Sequence, residues 1–123
     1  MENLLKDMGK RIFDRRKQLN MTQETLAELA HVTPQTISTA ELGQKAMRPE
    51  TILKVCDALH ISTEYLLRGV ITETDSSLLM EKISTLTPKQ YRHFEDILDS
   101  FIAAIQEAVS YTHLRAHETL MNL

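Results

Sequence analysis

Apolar residues recur along this chain at spacings of three and four, and nowhere do they alternate in twos as a half-buried strand requires. Leu5, Met8 and Ile12 share one face of a first helix from about Leu4 to Leu19. Asn20, which tolerates the left-handed conformation, follows it. Thr22 stands as N-cap to a second helix, Gln23 to Ala30, with Leu26, Ala27 and Ala30 facing inward. Its first turn holds Glu24, where negative charge suits the helix dipole. His31-Val32 allows only a tight turn, and Thr33-Pro34 combines a capping residue with proline at the first helical position, which opens a third helix to about Leu42, ended by Gly43. A fourth begins at Arg48-Pro49-Glu50 and carries Ile52, Leu53, Val55, Cys56 and Leu59. Ser62 caps a fifth, Thr63 to Leu67, and Gly69 closes it. Residues 70–77 are polar and read as a linker. Leu78, Leu79, Ile83 and Leu86 then mark a sixth helix. Thr87-Pro88 starts a seventh, with Tyr91, Phe94, Ile97, Leu98, Phe101, Ile102 and Ile105 in helical register. The expected fold class is all-α, with a domain over 1–69 and a helical extension over 78–108.

Composition narrows the picture. The 123 residues, 42% hydrophobic and 25% charged, fit one small domain with an extension and can bury one modest core. No apolar run approaches the roughly 20 residues of a membrane span. The N-terminus lacks the basic-then-apolar layout of a secretory signal, so the chain reads as cytoplasmic with no membrane partner. Cys56 is the single cysteine and has no internal disulfide partner; its apolar setting reads as a buried structural thiol, with a redox sensor as the alternative. The net charge of -3 argues against nucleic acid until its distribution is considered. Residues 1–70 hold ten Lys/Arg against nine Asp/Glu, a net of +1, whereas residues 71–108 hold three against seven, a net of -4. Lys10, Arg11, Arg15, Arg16 and Lys17 form a basic run that serves either as a phosphate patch or as a solvated helix face. Salt screens such fields within about 10 Å, so local charge outweighs the total.

Two short helices joined by a tight turn, the second opening Thr-Pro-Gln-Thr, form the arrangement that places side chains in a major groove. The segment Thr22-Gln23-Glu24-Thr25-Leu26-Ala27 through Val32-Thr33, Ile37-Ser38 and Glu41-Leu42-Gly43 resembles the Cro/repressor-type helix-turn-helix family, also called the XRE family. The likeness continues through Arg48-Pro49-Glu50, Cys56-Asp57-Ala58-Leu59 and Ile61-Ser62-Thr63-Glu64-Tyr65-Leu66-Leu67. It covers roughly half the chain and implies a five-helix, lambda-repressor-like DNA-binding domain.

The resemblance also implies roles. Gln35, Thr36 and Thr39, with Pro34 and Ser38 beside them, are expected to face bases, since Gln bonds adenine bidentately and a Thr methyl meets that of thymine. Gln23, Thr33, Gln44, Lys45 and Arg48 are expected at phosphates. Arg16 and Glu41 are expected to form a partly buried ion pair, and Val32 and Ile37 to point into the core. Departures from the pattern are His31 at a turn position usually held by Gly, Arg15 where an apolar residue is usual, and a loop from Gly43 to Pro49 that looks one residue longer than in some relatives.

A single recognition helix reads few base pairs, so regulators of this type are expected to dimerise on a two-fold operator. The stripe of Tyr91, Phe94, Leu98, Phe101, Ile102 and Ile105 is the expected dimerisation surface, with packing on its own domain as the alternative. The implied function is a sequence-specific regulator, a dimeric repressor reading a palindromic operator through helix 34–42. An antitoxin-like or scaffold module acting through the C-terminal helices is the alternative. No catalytic constellation, peptidase dyad, cofactor site, small-molecule site, metal cluster or phosphate loop is legible. The final stretch, VSYTHLRAHET from Val109 to Thr119, resembles a translated transposon-type sequencing adaptor, and the same frame runs on to Leu123. Residues 109–123 are therefore expected to be a non-native tail, which removes the metal-like spacing of His113 and His117 from consideration.

Overall fold

The computed structural model describes the backbone of residues 2–121 and the side chains of residues 3–109. Among the described residues all regular structure is α-helical: α1 (Glu2–Gln18), α2 (Gln23–Leu29), α3 (Pro34–Glu41), α4 (Pro49–Leu59), α5 (Thr63–Arg68), α6 (Glu73–Ser84) and α7 (Pro88–Met121). It divides into two compact units, Met1–Glu81 and Lys82–Leu123.

The first unit is built around a core of Ile12, Leu26, Ile37, Val55, Leu59 and Leu66, all fully buried. Each such side chain contributes about 1.5–3 kcal/mol through removal from water. The core draws one or two residues from each of α1 to α5, so none of the five could shed its neighbours and stay folded. Val32 packs against this core while half-buried, and Leu53 points out to solvent.

Caps set the helix boundaries. The hydroxyls of Thr22, Thr33 and Ser62 accept from the backbone N–H groups of Thr25, Thr36 and Tyr65, each satisfying a donor that the helix start leaves open. Asn20, His31 and His60 turn the chain with φ of 56°, 54° and 53°. His31 thus takes the left-handed backbone in the turn between α2 and α3. Gly9 has a different purpose: a Cβ there would lie 2.5 Å from the Glu41 carbonyl oxygen, so α1 and α3 cross at a separation only glycine permits.

The sixth helix begins at Glu73, five residues before the apolar pattern places it, so most of the expected 70–77 linker is helical. The cause is Asp75. Its carboxylate accepts from the Thr72 backbone N–H (2.9 Å) and hydroxyl (3.1 Å), and also from the Ser62 N–H (2.8 Å) and hydroxyl (2.6 Å). One carboxylate therefore closes the start of α6 and ties it to the start of α5.

In the second unit, Thr87 and Gln90 form a reciprocal capping box at the head of α7, with bonds of 3.0 and 3.2 Å. Tyr91, Leu98, Phe101, Ile102 and Ile105 are each at least two-fifths exposed, and Phe94 is half-buried. The adaptor-like residues after Val109, with His113 and His117, lie outside the described side chains.

Candidate nucleic-acid interface

Three side chains, with one backbone carbonyl, fix how α2 and α3 sit on α1. The Arg16 guanidinium lies against Glu41 in a bidentate pair, Nε to Oε2 at 2.6 Å and Nη2 to Oε1 at 3.0 Å, with side chains only 6% and 5% exposed. Arg16 Nη1 also donates to the Met21 carbonyl at 2.8 Å, and Gln23 Nε2 donates to Glu41 Oε1 at 2.9 Å. The bond to Glu41 raises the Arg16 pKa against the opposing effect of burial, so the guanidinium stays charged. The pair is therefore more deeply buried than the sequence implies. Gln23, expected at a phosphate, has its amide turned inward to Glu41.

The basic run on α1 is mostly spent inside the protein. Arg11 Nη1 donates to the Leu66 carbonyl at 3.0 Å, at the open end of α5. Arg15 Nε donates to the Leu59 carbonyl at 2.8 Å, and its Nη2 reaches the His60 carbonyl at 3.4 Å, at the end of α4. Both cations thus sit at helix C-termini, where the macrodipole and unpaired carbonyls favour them. An apolar residue at position 15 would leave those carbonyls to water; the departure from the family pattern is a cap. Lys10 and Lys17 remain at the surface, Lys10 with Asp14 at 3.3 Å and Lys17 over the Phe13 ring.

The outward side of α3 presents Pro34 and Gln35, exposed, with Thr36, Ser38 and Thr39 partly so. Thr33 spends its hydroxyl on the Thr36 backbone N–H and lies 2.9 Å from the Thr36 hydroxyl. Gln35 Nε2 donates to Thr39 Oγ1 at 3.2 Å, and Thr39 Oγ1 donates to the Gln35 carbonyl at 2.7 Å. Gln44, Lys45 and Arg48 stand exposed on the loop that follows. Neither Lys45 nor Arg48 has an ion-pair partner among the described residues. Arg48 occupies the N-cap position of α4 and, having no acceptor atom in its side chain, makes no side-chain cap bond there.

Sequence reasoning missed the cap roles of Arg11 and Arg15 and the whole Asp75 cluster. The Thr72-x-x-Asp75 spacing was a usable signal for the cluster; nothing local foretells a cap reaching across 44 or 55 residues. No group of metal-ligating side chains occurs among the described residues, and no helix there is long and apolar enough to cross a membrane.

Comparison with known proteins gives a consistent result. A helix-turn-helix family model matches residues 12–66. Repressor protein C2 of Salmonella phage P22 is 35% identical over 68 residues, 55% of this chain and 32% of its own length. The chain thus spans about a third of that curated relative. The crystal structure of the P22 c2 repressor in complex with a synthetic operator superposes with a TM-score of 0.50 at 36% identity, covering 51% of this chain and 96% of that one. The restriction-modification controller protein C.AhdI from Aeromonas hydrophila is similar at 32% identity, with a TM-score of 0.49 over 50% of this chain and 94% of its own.

Proposed function

This chain belongs to the Cro/repressor-type helix-turn-helix family, and we propose that it is a sequence-specific transcriptional regulator, a dimeric repressor that reads a palindromic operator through α3. The observation that carries the reading is the outward side of α3. Five polar or small side chains, Pro34 to Thr36 with Ser38 and Thr39, stand on a short capped helix held rigidly by the Arg16–Glu41 pair. Such a helix enters a major groove, where Gln35 can meet a base edge. Lys45, Arg48, Gln44 and Thr33 flank it within reach of the two backbones, and Gln23 contributes its backbone N–H from the start of α2. The relative whose structure holds operator DNA supports DNA as the partner.

The exposed apolar stripe of α7 supports the homodimer, since two-fold operators require paired recognition helices. The same stripe, on an acidic segment, favours a second reading: a module that binds a protein partner. A reaction on a small molecule has no support, and the proposed site of action is the cytoplasm.

Selection from a randomised DNA duplex library tests the proposal. The expected result is a palindromic motif whose binding weakens steeply with salt. Lys45→Ala and Arg48→Ala each lower the salt slope by about one and weaken all sequences alike, while Gln35→Ala leaves the slope and relaxes one base position. No enrichment, together with a co-purifying protein partner, supports the second reading instead.

A further inference from the structure

We infer that Thr39 is a positioning residue, which locks the Gln35 side-chain amide in the one orientation that accepts adenine and rejects guanine. The inference rests on the reading of α3 as a base-reading helix and assigns the chemistry of one contact within it.

Positions 35 and 39 are four apart, so their side chains lie on one face of α3. A threonine hydroxyl carries one hydrogen. Here it is donated to the Gln35 backbone carbonyl at 2.7 Å, the back-bonding that helical threonines make to the residue four before. With that hydrogen spent, the oxygen can only accept. The side-chain group of Gln35 that meets it at 3.2 Å must therefore be the N–H donor, and the amide cannot be flipped without setting two acceptors against each other. Gln35 is exposed, and its Oε1 has no hydrogen-bond partner among the described residues.

With the hydrogen trans to the carbonyl given to Thr39, the group left to face a base is the cis N–H beside the carbonyl oxygen. Adenine presents the complement in the major groove, an N7 acceptor beside an N6 amino donor. Guanine presents two acceptors, N7 and O6. A free glutamine can turn both amide hydrogens toward guanine; one held by Thr39 has a hydrogen already committed, and its Oε1 would oppose O6. The hydroxyl of Thr39, which touches no base in this arrangement, thus decides which purine Gln35 takes. Its methyl could instead read thymine directly, and the two roles depend on different atoms of the same side chain.

Duplex selection with the full chain, followed by binding to the selected site with each base pair in turn, separates them. The position whose preference disappears in Gln35→Ala is the one Gln35 reads. Thr39→Ser keeps the hydroxyl and removes the methyl; it is expected to retain adenine over guanine there. Thr39→Val keeps the methyl and removes the hydroxyl, and Thr39→Ala removes both. Each is expected to lose roughly five- to hundred-fold discrimination at that position, the worth of a good bidentate pair. Thermal melting checks that all three fold. If Thr39→Val retains the adenine preference, or Gln35→Ala relaxes no position, the inference is overturned while the regulator stands. If the wild-type chain enriches no motif, the regulator reading fails with it.

Discussion

The carboxylate of Glu41 holds three segments of the chain, through Arg16 on α1, Gln23 on α2 and its own place on α3. Glu41→Ala would leave the Arg16 charge buried with the Met21 carbonyl and the Phe13 ring as its neighbours and no counter-charge. The expected loss is about 3–5 kcal/mol, read from urea or guanidinium denaturation, and a loss under about 1 kcal/mol would show that the pair is not desolvated. Cys56 gives a second test at this scale. Burial first, then the charges of Asp57 and Asp75, push its thiol up to about 11, so it stays protonated at neutral pH. A thiol-reactive disulfide probe at pH 8 should label it only as the protein unfolds; rapid labelling of the native chain would revive the redox alternative.

Among the elements, the joint from α5 to α6 depends on Asp75. Partial burial raises its pKa, but hydrogen bonds from Ser62 and Thr72 outweigh that and leave it lowered. A carboxyl whose folded pKa is lowered contributes stability above its unfolded value of about 4, and the contribution is lost as pH falls through the folded value. Asp75→Asn should therefore cost about 1–2 kcal/mol at pH 7, with the gap to wild type closing below about pH 4. A gap unchanged by acid would mean the carboxylate charge is irrelevant. Helices α1 to α5 were legible in the sequence because their caps, prolines and apolar spacings agree. The start of α6 was not: residues 70–77 have no apolar period, and the bond that organises them reaches back to Ser62, 13 residues earlier. The Arg16–Glu41 pair followed from the family resemblance, whereas Arg11 and Arg15 read as part of a phosphate patch or a solvated helix face because charge alone does not reveal which way a side chain points. The face of α3 was legible by position, but the inward turn of Gln23 and the Gln35–Thr39 bond needed coordinates.

For the whole molecule, the stripe on α7 carries the assembly prediction. Leu98 and Phe101 are 41% and 60% exposed. The variant with Leu98→Asp and Phe101→Asp should sediment as a monomer where wild type sediments as a dimer, with α1 to α5 melting unchanged; a wild-type monomer would discard the dimer. The charge balance takes on a new meaning at this scale too. With Arg11, Arg15 and Arg16 committed to carbonyls and a carboxylate, the outward positive charge of the first unit rests on its lysines, Arg48 and Arg68, and counting basic residues overstates the field a phosphate would meet. The crossing at Gly9 bears on inheritance as well. Because a side chain there would wedge α3 away from α1, a Gly9→Ser allele is expected to weaken the fold without altering any side chain proposed to face a base, and the folded fraction should fall as the temperature rises. If the chain silences genes as proposed, that allele would be conditional, with repression kept in the cold and lost in the warmth.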